Sequence, residues 1–287
     1  MILPAMILAK SVMTSIHFSK PFQEYSMSAD YGYMHEFLMR HMHLMHNPVG
    51  MTFIFTEEKR QKMVEQHEFH APVKQLTLCQ AELGARMEGL NILLPEKNLW
   101  CRTARVGFRL LEHGDLDRKS HKKFCESEEQ VEYFIASKPR LPRAPLAIAM
   151  LPLSNCLQQP DIVHFCCDNM QAYHLINDWM AVTGTHPFRP YMCINSSLCG
   201  GSAYAFANQT ANLTLACAGS YNSGKMERGE INVFIPGVHV DALFARLENR
   251  VKTLGGASLT RLGDPFPGVE VCQNCPVIIF KKLENNR

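Results

Sequence analysis

The chain has 287 residues, 46% of them hydrophobic, enough to bury a substantial core as one large unit or two smaller ones. Its 29 Lys and Arg nearly balance 27 Asp and Glu, and the basic residues are dispersed, which argues against the concentrated basic face that nucleic-acid binding needs. No apolar run approaches the roughly 18 residues that a membrane-spanning helix requires.

The opening MILPAMILAKSVMTSIHFSKP lacks a basic start and its apolar stretch is broken by Pro4 and Lys10, so residues 1–28 read as a loosely attached leader rather than a cleaved signal. From Ser28 to His46 the spacing of Tyr33, Phe37, Leu38, Met42 and Met45 predicts an amphipathic helix, ended by Asn47-Pro48. Val49 to Phe55 reads as a buried strand, and the charged stretch Glu57 to Glu68 as a solvated helix. Leu76 to Met87 is a second helix that Gly89 stops, Ile92 to Leu94 a short strand, Cys101 to Leu111 a helix closed by His113-Gly114, and Glu126 to Ser137 another surface helix. The segment KPRLPRAP carries three prolines within seven residues and is the expected hinge between halves spanning 29–138 and 139–287, which together make one compact unit.

Beyond the hinge, the proline-bounded runs PLAIAMLPL and PDIVHFCC predict strands. Asp168 is the expected N-cap of a helix from Met170 to Val182, stopped by Gly184, and Gly200 to Asn208 is a helix beginning on small residues. Leu213 to Ala218 and Ile231 to Ile235 are strands joined by a Gly- and Ser-containing turn, with Glu230 a surface or capping group. Val238 to Leu254 is amphipathic, with Val240, Leu243, Phe244, Leu247 and Val251 on one stripe, and Val277 to Phe280 is a last strand. The expected fold is α/β or α+β, built from two related mixed halves with pseudo-twofold internal symmetry.

That symmetry rests on an echo. Gln80-Ala81 precedes Cys101, Gln171-Ala172 precedes Cys199, and each cysteine opens the pattern Cys-x-x-[Ala/Ser]-x-x-[Gly/Ala]-Phe at the start of a helix. The intervals are 21 and 28 positions, so the echo requires a seven-residue insertion. A thiol at a helix start faces unpaired N–H groups and the positive end of the macrodipole, which favours the thiolate, the form that attacks and binds metals. Arg102 and Arg105 add positive charge beside Cys101, while Gly200-Gly201 would let a ligand approach the backbone behind Cys199. Taken alone, each cysteine is as readily a small buried hydrophobe.

Cys217 stands at a predicted strand end before a glycine turn, and Cys79 adjoins Gln80-Ala81. Together Cys79, Cys101, Cys199 and Cys217 could hold an iron–sulfur cluster or another metal, although their wide spacing matches no compact ferredoxin pattern. Cys272-Gln273-Asn274-Cys275 is a lone CxxC, read as a turn. Cys166 and Cys167 point to opposite strand faces, and His41, His43 and His46 read as structural or solvated. Eleven cysteines in a chain that needs no disulfide staples indicate reduced thiols in the cytoplasm, where the Asn195, Asn208 and Asn212 glycosylation patterns carry no meaning. No GxGxxG, P-loop, HExxH or GxSxG pattern occurs, and the sequence names no catalytic group.

The segments NPVGMTFIF, LTLCQAELGARMEG followed by Cys101, QPDIVHF, MQAYHLI, CGGSAYAFANQTANLTLACAGS and GEINVFIPG, in that order from about Leu38 to Leu254, resemble the domain of unknown function 169 family. The resemblance carries no activity. It implies relatives mainly in anaerobic bacteria and archaea, and recurrent cysteines at Cys79, Cys101, Cys199 and Cys217. The chain departs from the pattern after Cys217, with Gly219-Ser220-Tyr221 where a Gly-x-Arg is expected.

Two readings stay open. The first is a cytoplasmic protein that binds a metal centre or small cofactor through Cys79, Cys101, Cys199 and Cys217 between two halves, with Gly200, Gly201, Gln80 and Gln171 lining the cofactor and redox or thiol chemistry as the outcome. The second is a non-enzymatic small-molecule binder, or a subunit of a complex. The partners are a small molecule or metal cofactor and either a second copy of the chain or a redox partner, with no nucleic acid and no membrane span.

Overall fold

Val49–Ile54 has no charged side chain, and it forms the strand β1 that lies third in a six-stranded sheet, buried along its whole length. The computed structural model describes residues 30–254 apart from Ala71 and Val73. Among these residues the order is α1 (Tyr31–His41), β1, α2 (Glu57–Gln66), α3 (Leu78–Glu88), β2 (Ile92–Pro95), α4 (Arg102–Gly107), α5 (Asp115–His121), α6 (Glu128–Ala136) and β3 (Ala147–Pro152). It continues with β4 (Ile162–Cys167), α7 (Asn169–Thr183), α8 (Leu198–Asn208), β5 (Asn212–Thr214), α9 (Ala218–Asn222), β6 (Ile231–Pro236) and α10 (Val240–Leu254).

The sheet order is β2-β3-β1-β4-β6-β5, and every neighbouring pair is antiparallel. Antiparallel sheets commonly leave one face in water. Here helices cover both faces, which explains why β1, β3 and β4 read as continuous apolar runs rather than alternating ones. On one face α1, α7 and α10 pack over Ile54, Ala149, Leu151, Val163, Phe165, Val233 and Ile235. On the other, α3, α4 and α8 pack over Val49, Met51, Phe53, Ile148, Met150, Ile162 and Phe234. No helix among the described residues is long and apolar enough to cross a membrane.

Helix ends follow the local chemistry. Thr77 and Gln80 form a capping box at the start of α3, as do Asp168 and Gln171 at the start of α7. Gly89 and Gly184 end these helices in the left-handed region, at φ 68° and 69°, where a β-carbon would be strained. The α10 stripe is as expected: Val240, Leu243, Phe244 and Leu247 are buried, with Val251 packed beside them.

Several expectations need correction. The first helix ends at His41, not His46, and the helix at Cys101 spans only Arg102–Gly107, with Arg109 turned to φ 58°. The strand expected to run to Ala218 ends at Thr214, and the turn after it contains α9. Strand β3 follows the proline-rich segment and pairs with both β1 and β2, which precede it. The Gln80 and Gln171 echo joins α3 and α7, which lie on opposite faces of the sheet. The leader, the CxxC and the last strand lie outside the described residues.

Candidate functional site

Cys79, Cys101, Cys199 and Cys217 come from four separate segments. Cys79 is the second residue of α3, and Cys199 the second residue of α8. Cys101 is the N-cap of α4. Cys217 is the N-cap of α9, where its Sγ accepts from the Ser220 amide at 3.4 Å. Helix α8 touches both α3 and α4, and Cys79, Cys101 and Cys199 pack in one hydrophobic cluster on this face. Burial pushes the Cys79 thiol well up, and the charges of Cys199, Cys217 and Cys101 push it further. Cys199, only 9% exposed, is pushed up first by burial and then by Cys101 and Cys217, with partial relief from the Ser196 hydroxyl. Burial thus acts against the thiolate that the helix start was expected to favour at Cys199.

A buried polar network underpins the site. Glu82, one turn after Cys79 on α3, sets its Oε1 3.1 Å from Arg86 Nε and 3.2 Å from His164 Nδ1. Arg86 Nη1 reaches Glu230 Oε1 at 3.0 Å, its Nη2 donates to the Lys225 carbonyl at 2.7 Å, and His46 Nε2 lies 3.3 Å from the same Glu230 oxygen. On the other side His164 Nε2 meets Asn232 Oδ1 at 2.9 Å, and Asn232 Nδ2 donates to Ser197 Oγ at 2.9 Å. This chain of contacts runs from the helix bearing Cys79 to the N-cap of the helix bearing Cys199. Buried charges persist only when paired, and here each carboxylate has a cation beside it.

Lys138 also belongs to the surroundings. Its segment is tied to α4 by Leu141 N donating to the Gly107 carbonyl at 2.8 Å. On the other side Tyr191 Oη donates to the Ser137 carbonyl at 2.5 Å, and Cys193 Sγ does so at 3.6 Å. Burial holds the Lys138 ammonium below its ordinary range, against the pull of Cys199, Asp117, Cys193 and Cys101.

The residues expected to line a cofactor have other partners. Gln80 Oε1 accepts from the Thr77 amide at 2.9 Å. Gln171 Oε1 accepts from the Asp168 amide at 2.8 Å, and its Nε2 donates to the Met42 and His43 carbonyls at 2.9 and 2.8 Å. A β-carbon on Gly200 would sit 1.7 Å from Ser196 Oγ, and one on Gly201 would sit 2.1 Å from the Phe234 ring, so protein atoms occupy the space these glycines leave. Cys156 and Cys167 pack in the core of the opposite face. Glu230, read as a surface or capping group, is instead the partly buried hub between Arg86 and His46.

Sequence reading missed Glu82, Arg86, His164, Asn232 and Lys138. The Glu82 and Arg86 spacing of four, inside an otherwise small and apolar helix face, was the one available signal. Among the described residues no set of three or more His, Cys, Asp or Glu side chains is arranged to hold a metal ion. A separate open cavity of about 330 Å³ lies at the β2 edge, lined by Val64, His67, Phe69, Leu93, Pro95 and Lys97 among others.

No curated protein matches the chain, and no solved structure does. The model of an uncharacterised ArCR family, domain of unknown function 169, matches residues 37–246, which include the four cysteines and the network beneath them. The chain belongs to the domain of unknown function 169 family.

Proposed function

We propose that the chain binds an iron–sulfur cluster through Cys79, Cys101, Cys199 and Cys217, and that it acts in electron transfer with a redox partner in the cytoplasm. What supports this reading is that Cys79 and Cys199 stand in the first turns of α3 and α8, Cys101 and Cys217 cap α4 and α9, and α8 packs against both α3 and α4. Four thiolates are the usual ligand set of such clusters. A single tetrahedral ion needs its donors drawn close, and no set here is arranged that way. Burial raises the Cys79 and Cys199 thiols, so their binding to a cationic core as thiolates would release protons.

The site lies between two halves that we read as related, β1 to β3 and β4 to β6. Support comes from the sheet order, which interchanges β1 with β4, β3 with β6 and β2 with β5 when read from the other end. In each half an 11-residue helix opening Leu-Cys precedes the edge strand, and a cysteine N-cap follows that strand. Each half ends in a strand closed by proline and a single 3-10 turn, Leu153–Asn155 or Gly237–His239. In this alignment Cys79 answers Cys199 and Cys101 answers Cys217.

The test is anaerobic reconstitution with ferrous iron and sulfide. The wild-type chain should bind both and develop visible thiolate-to-iron absorption. Changing all four cysteines to serine should abolish it, while Cys156→Ser and Cys167→Ser should not. A wild-type chain that stays colourless and free of iron rejects the proposal. The alternative, a non-enzymatic binder of an apolar small molecule, draws support from the cavity at the β2 edge. Such a binder would keep its ligand in the four-serine variant.

A further inference from the structure

We infer that the cavity at the β2 edge binds a small apolar carboxylate, its hydrocarbon body against Val64, Phe69, Leu93 and Pro95 and its carboxylate paired with the Lys97 ammonium. The inference is independent of the proposed cluster. It rests on the apolar-binder alternative and names that binder's ligand class. The cavity belongs to the other face of the sheet from the cysteines. Leu93 and Phe69 pack against the α1–α7–α10 core, whereas Cys79, Cys101 and Cys199 pack on the α3–α4–α8 side. At about 330 Å³ it falls at the small end of ligand sites, which begin at roughly 300 Å³.

Hydrogen bonds hold the walls apart. The His70 amide donates to the Asn91 carbonyl at 2.8 Å and Asn91 Nδ2 to the Glu68 carbonyl at 3.1 Å, which fixes the chain leaving α2 beside the start of β2. The Leu76 amide donates to the Asn98 carbonyl at 2.9 Å, which fixes it again beyond the strand. His67 anchors the end of α2, with Nδ1 3.2 Å from the Met63 carbonyl and Nε2 3.2 Å from the Asn155 carbonyl. The apolar walls cannot close on each other without breaking these attachments.

Most polar groups at the cavity are engaged. Both His67 nitrogens face carbonyls, Asn98 Nδ2 donates to the Pro72 carbonyl at 3.3 Å, and Pro95 has no N–H to offer. Lys97 is different. It is exposed, and while Lys59 and Lys122 stand beside carboxylates, Lys97 has no such partner among the described residues. Among those residues no acidic side chain lines the cavity either. One uncommitted cation beside apolar walls suits a hydrocarbon body with a single negative end. A sugar or nucleotide would give up water at many polar groups and find few partners in return. An amine would meet a like charge.

The experiment titrates the whole chain, without added iron, with hexanoate, hexan-1-ol and hexylamine, and follows the Phe69 and Leu93 amides by NMR. Hexanoate should shift both saturably, hexan-1-ol should bind about two- to five-fold more weakly, and hexylamine should not saturate. Lys97→Gln should lower hexanoate affinity to that of the alcohol and leave the alcohol unchanged, while the exposed control Lys119→Gln on α5 alters neither. Val64→Trp, at an exposed position on α2, should fill the cavity and abolish binding of both with the helical content unchanged. Equal affinity for hexanoate and hexan-1-ol, or a Lys97→Gln chain that keeps the preference, overturns the carboxylate and leaves the apolar-binder reading standing. No saturable shift with either probe overturns both. Binding that survives Val64→Trp places the ligand elsewhere and also overturns the inference. None of these outcomes depends on iron uptake, so the cluster proposal stands or falls separately.

Discussion

Cys79 and Cys199 hold the same position in two helices of the same length: each is the second residue of an 11-residue helix that opens Leu-Cys behind a hydroxyl N-cap, Thr77 or Ser197. The two N-caps then diverge. Thr77 Oγ1 accepts from the Gln80 amide, whereas Ser197 Oγ accepts from Asn232 across the sheet. One cysteine helix is closed locally and the other is anchored to the buried network, so disturbance of that network reaches Cys199 first.

The glutamines distinguish capping from ligand contact. Gln80 is exposed and serves only its own capping box, whereas Gln171 is 4% exposed and also joins α7 to the Met42 and His43 carbonyls after α1. Gln80→Ala should cost about 1 kcal/mol or less, in line with loss of one exposed cap contact. Gln171→Ala should cost about 2–3 kcal/mol, because the buried Met42 carbonyl and the part-buried His43 carbonyl lose their donor along with the cap. Urea unfolding of the two variants measures this directly. Equal losses would mean the α1 attachment contributes nothing.

Most elements were legible because they depend on local chemistry. The α3 and α7 ends follow from Thr77, Asp168, Gly89 and Gly184, and the buried strands follow from uninterrupted apolar runs. The four cysteines could be named from the sequence, but the faces of the sheet that their helices cover could not. The Gln-Ala echo marks two capping boxes, a solution that any helix start can adopt, and so it aligned α3 with α7. The Leu-Cys start shared by α3 and α8 is only two residues long, and its meaning depends on which face of the sheet each helix covers. Lys138 and Glu230 were invisible for the same reason: a charged residue in a loop reads as solvated until tertiary packing buries it.

Gly201 has a sharper test than its neighbour. In an open helix Gly→Ala stabilises by about 1 kcal/mol. At Gly201 the added methyl would meet the Phe234 ring at 2.1 Å, and that ring is stacked on buried His164 with centroids 5.0 Å apart. Gly201→Ala should therefore reverse sign and cost about 1–3 kcal/mol. Gly200→Ala meets Ser196 Oγ at 1.7 Å and Ser196 Cβ at 2.8 Å, so Gly200→Ala/Ser196→Ala should recover only part of the lost stability. Thermal unfolding of the three variants decides it, and a Gly201→Ala chain more stable than wild type rules out the close fit.

Arg86 is the hub of the buried network. It is 2% exposed and faces both Glu82 and Glu230. Removing one member of a buried ion pair is costly because the partner charge is left behind, so Arg86→Met should lose about 3–5 kcal/mol. Adding Glu82→Gln to Arg86→Met should return part of that loss by removing one of the stranded carboxylates. If the single variant falls within about 1 kcal/mol of wild type, the network carries little of the stability assigned to it.

The histidines set the pH dependence of folding near neutrality. Burial is the main force holding His113, His174 and His239 below the ordinary histidine value, and at His113 it outweighs the attraction of Asp117. His239 has a specific reason to stay neutral, since its Nδ1 accepts the Trp179 indole N–H at 3.1 Å and a protonated nitrogen cannot accept. With folded values depressed, the unfolded chain binds more protons than the folded chain below about pH 6.5, so stability rises with pH there. Stability should be highest near about pH 7.5, decline as pH falls through 6.5 toward the depressed folded values, and decline again above about pH 8.5, where the unfolded thiols ionise and the buried ones resist it. The depressed carboxyls of Glu230 and Asp117 act in a lower window, below about pH 4.5, and do not overlap it. Urea midpoints followed by Trp179 fluorescence between about pH 7.5 and 5 should fall steadily, and His239→Asn, which keeps a hydrogen-bond acceptor without titrating, should flatten part of the slope. A midpoint that stays level or rises on acidification would mean these imidazoles accept protons in the folded chain.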